Sequence, residues 1–136
     1  MTERTLVLLK PDAVARGLVG EVVRRYEAKG LDLVAMELRT IDAAMADRHY
    51  AEHVEKDFYP PLRAFVTSGP LVAMVLEGDS AVDCVRAVNG ATDGRQAAPG
   101  SVRGDLSTSN RENLVHGSDS AESAAREIAL WFPGLA

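Results

Sequence analysis

The chain has 136 residues, 46% hydrophobic and 26% charged, which excludes a disordered or membrane-embedded polymer and suits a single domain spanning 1–136. Its 20 acidic and 15 basic residues leave a net charge of −5, which counts against non-specific nucleic-acid binding. A small anionic ligand is not excluded, provided that cations gather locally against the overall sign.

The N-terminus runs from Met1 straight into a strand pattern, with no signal-peptide core. Residues Arg4 to Leu9 form an unbroken apolar run of strand length, as for a central strand covered on both faces. Pro11 lacks an N–H and biases Lys10 away from helix, so the strand stops there. Lys10 is then either a snorkelling strand end or an anion contact. Leu18, Val19, Val22, Val23 and Tyr26 repeat at helical spacing until Lys29 and Gly30 end the helix.

Leu31 to Arg39 reads as a second strand. Asp42 caps a polar helix reaching about His53 and carrying His49 and Tyr50. Tyr50, Phe58 and Tyr59 form an aromatic group that is either core or a platform for stacking a base. Pro61 fits the first turn of a helix that continues from Leu62 to Thr67. Pro70 to Glu77 is a third apolar strand, and Ala81, Val82, Val85 and Val88 mark a helix with Arg86 on its outer turn. The lone cysteine, Cys84, rules out an intramolecular disulfide and, between valines, reads as a buried thiol. Together with the absence of an apolar run near ~20 residues, this points to a reducing cytoplasm and no membrane.

From Asn89 to about Arg111 the pattern lapses, with five glycine or proline positions and few large apolar residues. So long a structureless run is expected to be functional or disordered. Thr92, Arg95 and Arg103 give it an anion-binding character. A short strand, Asn113 to His116, then leads through a serine- and acid-rich turn into a helix from Ser120 to about Trp131. Ser118 or Asp119 is expected to cap that helix, with Glu122 closing a box from Asp119. His116, at a strand end beside a helix N-terminus, is either a packed strand-end residue or a nucleophile effective near neutral pH.

The order β-α-β-α-α-β-α-loop-β-α predicts an α+β sandwich of ferredoxin-like βαββαβ type. Its four-stranded antiparallel sheet would carry extra helices and a long loop before the last strand. The first and third strands would be central and the fourth antiparallel beside the first, bringing Lys10 near Asn113.

Over its whole length the chain resembles the nucleoside diphosphate kinases. The residues that carry the likeness are Thr5 to Asp12, His49 and Tyr50, Thr67 to Pro70, Ala98 to Asp105 and above all Asn113 to Ser120. The resemblance implies a ping-pong exchange: a nucleoside triphosphate, chiefly ATP, phosphorylates His116, and a nucleoside diphosphate takes the group. It implies that Lys10 contacts phosphates and ribose, Tyr50 supports the site and Phe58 stacks on the base. Arg86, Thr92 and Arg103 would hold the phosphates and Asn113 the sugar, while Ser118 and Glu127 orient His116. Mg²⁺ would arrive bridging the nucleotide phosphates, with no dedicated protein cage.

The resemblance further implies a homo-oligomer, hexamer favoured over tetramer, with the 89–111 loop pinned against neighbouring subunits. Three positions depart from the family pattern: Gly94 where proline is usual, Asn110 where an aliphatic residue faces the base, and Leu106 in place of an aromatic. On that pattern Gly94→Pro is expected to raise the thermal midpoint. Two other classes compete: a ferredoxin-like module that binds a small anion without chemistry, and a nucleic-acid-binding sheet. The first has no need of His116, Ser118 and Glu127 together, and the second conflicts with the charge.

Overall fold

The computed structural model describes residues 2–135. Strand β1 (Thr2–Leu9) is followed by two short helices, α1 (Pro11–Ala15) and α2 (Val19–Ala28), then β2 (Asp32–Arg39). Helices α3 (Ala43–His49) and α4 (Tyr59–Val66) lead to β3 (Leu71–Asp79) and α5 (Ala81–Asn89). A short helix α6 (Val102–Leu106), strand β4 (Val115–Gly117), helix α7 (Ala121–Trp131) and a final 3₁₀ turn (Pro133–Leu135) complete the order. The sheet runs β2-β3-β1-β4 with every pairing antiparallel, so the two unbroken apolar runs are the central strands.

Alternation along those strands builds a core on each face. Val7, Leu9, Val72, Met74 and Leu76 pack with Val22 and Tyr26 of α2 and Val85 of α5. Leu6, Leu8, Leu71, Ala73 and Val75 pack on the other side with Ala46 of α3, Val66 of α4, and Ile128 and Trp131 of α7. Helices α2 and α5 are thus the two crossovers of a ferredoxin-like sandwich, and α3, α4 and α7 cover the opposite face. With both faces buried, no polar alternation survives in β1 or β3, and that is why each reads as a continuous hydrophobic run.

Several local expectations are corrected. Helix α1 was hidden by Pro11, which sits within its first turn, where a missing N–H is harmless. Ser120, not Ser118 or Asp119, caps α7 by accepting from the Ser123 N–H at 3.1 Å. Glu122 is exposed, and Ser118 is buried elsewhere. Cys84 is only half-buried, its Sγ 3.6 Å from the Asp79 carbonyl.

The 89–111 segment is not structureless. Ser101 caps α6 through the Gly104 N–H at 3.0 Å, and Val102 reaches the core with no exposure. Asp105 accepts from Arg25 at 2.9 Å and from the Gly100 N–H at 2.8 Å. Arg103 donates to the backbone carbonyls of Gly90, Asn113 and Val115. Polar stapling therefore holds a segment that apolar patterning left unmarked. Gly94 is buried inside it, and a Cβ there would stand 2.2 Å from the Ser107 carbonyl oxygen. Its N–H also donates to Ser109 O at 3.3 Å. Proline would lose that donor and meet fixed backbone, so the expected gain from Gly94→Pro is overturned.

Candidate active site

The last strand delivers the site. Leu114 precedes it with φ +72°, a left-handed conformation that costs a branched side chain about 1–3 kcal/mol. The surroundings fix it. The Leu114 N–H donates to Asp12 Oδ2 at 3.1 Å, its carbonyl accepts from the Lys10 N–H at 2.8 Å, and Val115 N closes a tight turn to Asn113 O at 2.8 Å. Burial pushes the Asp12 carboxyl up, against the opposing pull of the Leu114 N–H and of Lys10. After this kink, β4 pairs with β1 so that His116 lies opposite Leu8. Gly117 follows because β4 runs close to α5: a Cβ there would be 2.8 Å from Val85 Cγ1.

His116 is about a fifth exposed, with Nε2 2.9 Å from Glu127 Oε1. Ser118 Oγ donates to the same oxygen at 2.8 Å and accepts from the Leu6 N–H at 3.3 Å. Burial pushes the Glu127 carboxyl up, but bonds and charge from His116, aided by His49 and Ser118, outweigh it and hold the group below the usual range. Glu127 is therefore a carboxylate and only an acceptor, so Nε2 carries the hydrogen. A neutral His116 then keeps its lone pair on Nδ1.

A cleft of about 780 Å³ opens over this ring. Lys10, Tyr50, Phe58, Arg86, Thr92, Arg103, Asn113, His116 and Glu127 all line it, while Ser118 is fully buried behind Glu127. Burial, then the nearby Arg103 charge, pull Lys10 down to about 8 against the pull of Asp12. A phosphate in the cleft would favour its charged form. Lys10 Nζ donates to Asn113 Oδ1 at 2.8 Å, as the antiparallel fourth strand led one to expect. Asn113 is more engaged than the sequence suggested: its Nδ2 donates to the carbonyls of Thr92 and Asn110 at 2.9 and 3.0 Å. Both its hydrogens are committed to holding the loop, and with Lys10 on one lone pair of the carbonyl oxygen, the second lone pair is what remains for a ligand. Three of the five Arg103 donor hydrogens are likewise spent on backbone. Phe58 stands half-exposed at the rim, which favours the platform over the core alternative.

Sequence reasoning assigned no role to His49 or Arg126, which also line the cleft. His49 Nδ1 accepts from the Trp131 indole N–H at 3.0 Å, a pairing across 82 positions that no local pattern announces. His49, His116 and Glu127 offer ligand atoms within 4.8 Å of one another. With Trp131 donating to Nδ1, however, neutral His49 carries its hydrogen on Nε2 and has no lone pair left for an ion.

Burial, with the positive side of His116 and Arg126, pulls His49 down to about 3, Glu127 opposing. The unfolded chain takes up a proton near 6.5 that the folded chain refuses until about pH 3. Stability from this group is therefore complete above pH 6.5 and is lost as pH falls through that window, by up to about 1.4 kcal/mol per unit. Urea unfolding at pH 7 and pH 5 should show wild type losing about 2 kcal/mol more than His49→Gln. Parallel losses in the two proteins would contradict this.

The nucleoside diphosphate kinase family model matches residues 3–135. The chain is 76% identical to a nucleoside diphosphate kinase of Nocardioides over 135 residues, covering 99% of this chain and 100% of that one. It is 64% identical to one of Cutibacterium acnes over 133 residues, covering 98% and 96%. Among solved structures, the halophilic nucleoside diphosphate kinase of Halobacterium salinarum in complex with CDP superposes with a TM-score of 0.94 at 49% identity, covering 97% of this chain and 88% of that one.

Proposed function

The chain belongs to the nucleoside diphosphate kinase family, and from that premise we propose how its cleft performs the exchange. The activity is transfer of the terminal phosphoryl group of a nucleoside triphosphate to a nucleoside diphosphate. The observation that carries the mechanism is the Glu127 carboxylate on His116 Nε2, 2.9 Å away, which leaves Nδ1 as the nucleophile at the floor of a cationic cleft.

In the first half-reaction the Nδ1 lone pair forms a bond to the terminal phosphorus as the bond to the leaving diphosphate oxygen breaks. The Nε2 hydrogen stays on the ring, and Glu127 stabilises the positive charge that develops there, itself held by Ser118. Lys10, Arg86, Thr92 and Arg103 surround the phosphate oxygens, since phosphoryl transfer depends mostly on position and charge. In the second half-reaction a diphosphate oxygen takes the group from Nδ1 in the same cleft. One binding site thus serves donor and acceptor in turn, and initial rates against both nucleotides should give parallel double-reciprocal lines. Intersecting lines would replace the phosphoenzyme with direct transfer.

Mg²⁺, when bound with the nucleotide, supplies charge neutralisation across the phosphates. Among the described residues the one three-group ligating cluster, His49, His116 and Glu127, is a poor set for a hard cation, so Mg²⁺ would depend on the nucleotide and not on this cluster.

Phe58 would stack on the base and Asn113 would meet the sugar through its carbonyl oxygen. Asn110 and Phe58 at the rim are both exposed, so neither encloses a base edge. Catalytic efficiencies for ADP, GDP and CDP should therefore lie close together, and a gap of ~10³ between any two would contradict the reading. The proposed assembly is a homo-oligomer, hexamer over tetramer. Its support is the edge strand β2, which exposes Leu33, Met36 and Leu38 at 40%, 42% and 67%. No helix among the described residues is long and apolar enough to cross a membrane; the cytoplasm is the proposed compartment.

A further inference from the structure

One cleft residue has no part in the exchange as described, yet it touches the nucleophile. His49 ends α3 at 4% exposure, with its ring centroid 4.8 Å from that of His116 and the planes at 81°. Behind it the Trp131 ring lies at 5.6 Å and 80°, and the Tyr50 ring stands at 4.6 Å and 83°. Among the described residues His116, by contrast, has one side-chain hydrogen bond, to Glu127. A ring held at one atom pivots about that atom, and such a swing carries Nδ1 off the line of attack. A flat neighbour set perpendicular to it blocks the swing.

Resting on the phosphohistidine reading, we propose that His49 is a positioning residue for phosphoryl transfer: a rigid wall, keyed by Trp131, that keeps His116 Nδ1 facing the phosphate. Trp131 is fully buried, so its indole N–H needs an acceptor, and His49 Nδ1 at 3.0 Å supplies one. That bond fixes both the tautomer and the rotation of the wall. The same bond separates this role from its rivals. With its Nδ1 lone pair taken by Trp131, neutral His49 neither ligates an ion beside His116 nor accepts a phosphoryl group without breaking the indole contact.

The charged and titratable groups around His49 are His116 from β4, Glu127 and Arg126 from α7, Lys10 from the end of β1, and its neighbour Tyr50. Burial among them keeps the imidazole neutral through the working pH range. The wall therefore adds no second cation that would compete with Lys10 and the arginines for the phosphates.

The test uses the full chain and two variants. His49→Gln keeps an acceptor for Trp131 but removes the flat ring. Its kcat should fall about 10–100-fold, with the KM of both nucleotides within about threefold of wild type, because orientation and not binding is lost. The rate of phosphoenzyme formation from ATP in a single turnover should fall by the same factor. The pair His49→Phe with Trp131→Phe restores a flat wall and leaves no orphan indole N–H, and kcat should recover to within about threefold. A His49→Gln enzyme with kcat within about twofold of wild type would overturn the proposal, as would a Phe pair no faster than the Gln enzyme. If wild type itself forms no phosphoenzyme, the phosphohistidine reading fails first; if it does and the variants match it, only the wall fails.

Discussion

His116→Ala is expected to lower nucleotide exchange by a factor on the order of 10⁴ or more, with binding of nucleoside diphosphate little changed. The split follows from the site's construction. In the proposed mechanism the phosphates are held by Lys10 and the arginines, and the base by Phe58 at the rim; all of them line the cleft and none needs the imidazole. What the substitution removes is the Nδ1 lone pair at the cleft floor, and with it the covalent step. Ser118 cannot substitute, because it is fully buried behind Glu127. Isothermal titration with ADP alongside an exchange assay separates the two effects. Retained exchange in the purified variant would remove His116 from the mechanism.

Gly94→Pro is expected to lower stability by about 2–4 kcal/mol per chain, the sum of a lost backbone donor and a forced repacking. That corresponds to a thermal midpoint lower by roughly 10 °C. The clash falls on the carbonyl carbon and oxygen of Ser107, at 2.5 and 2.2 Å, and backbone there does not yield as the end of a side chain would. Ser107 is itself pinned, its N–H donating to Arg103 O at 2.9 Å and its hydroxyl bonded to the 109–112 turn. Differential scanning calorimetry checks it, and a higher midpoint would mean that the loop runs differently from the path described.

Much of the fold was legible because the central strands announce themselves. Residues 6–9 and 71–76 are apolar on both faces, and a strand needs that only when helices cover both sides of the sheet. The pairing of the fourth strand with the first followed from topology, and with it the meeting of Lys10 and Asn113. The 89–111 segment was not legible, because arginine and carboxylate staples and capped turns hold it, and these leave no periodicity. Arg103 shows the limit well: the family resemblance implies a phosphate contact for it, while three of its hydrogens hold backbone carbonyls. The cap of α7 differs from the two residues expected, Ser118 and Asp119, because Ser118 is buried against Glu127 and it is the Ser120 hydroxyl next in line that meets the Ser123 N–H. His49 and Trp131, far apart in the chain, could be joined only by the sandwich itself.

The most direct test of the central claim is to isolate the protein after brief mixing with ATP labelled at its terminal phosphate, then locate the label. The account predicts one acid-labile, alkali-stable phosphate on His116, bonded at Nδ1 by ¹H–¹⁵N–³¹P correlation, that passes completely to added GDP. A label on another residue, a bond at Nε2, or a phosphoprotein that does not discharge onto GDP would contradict it.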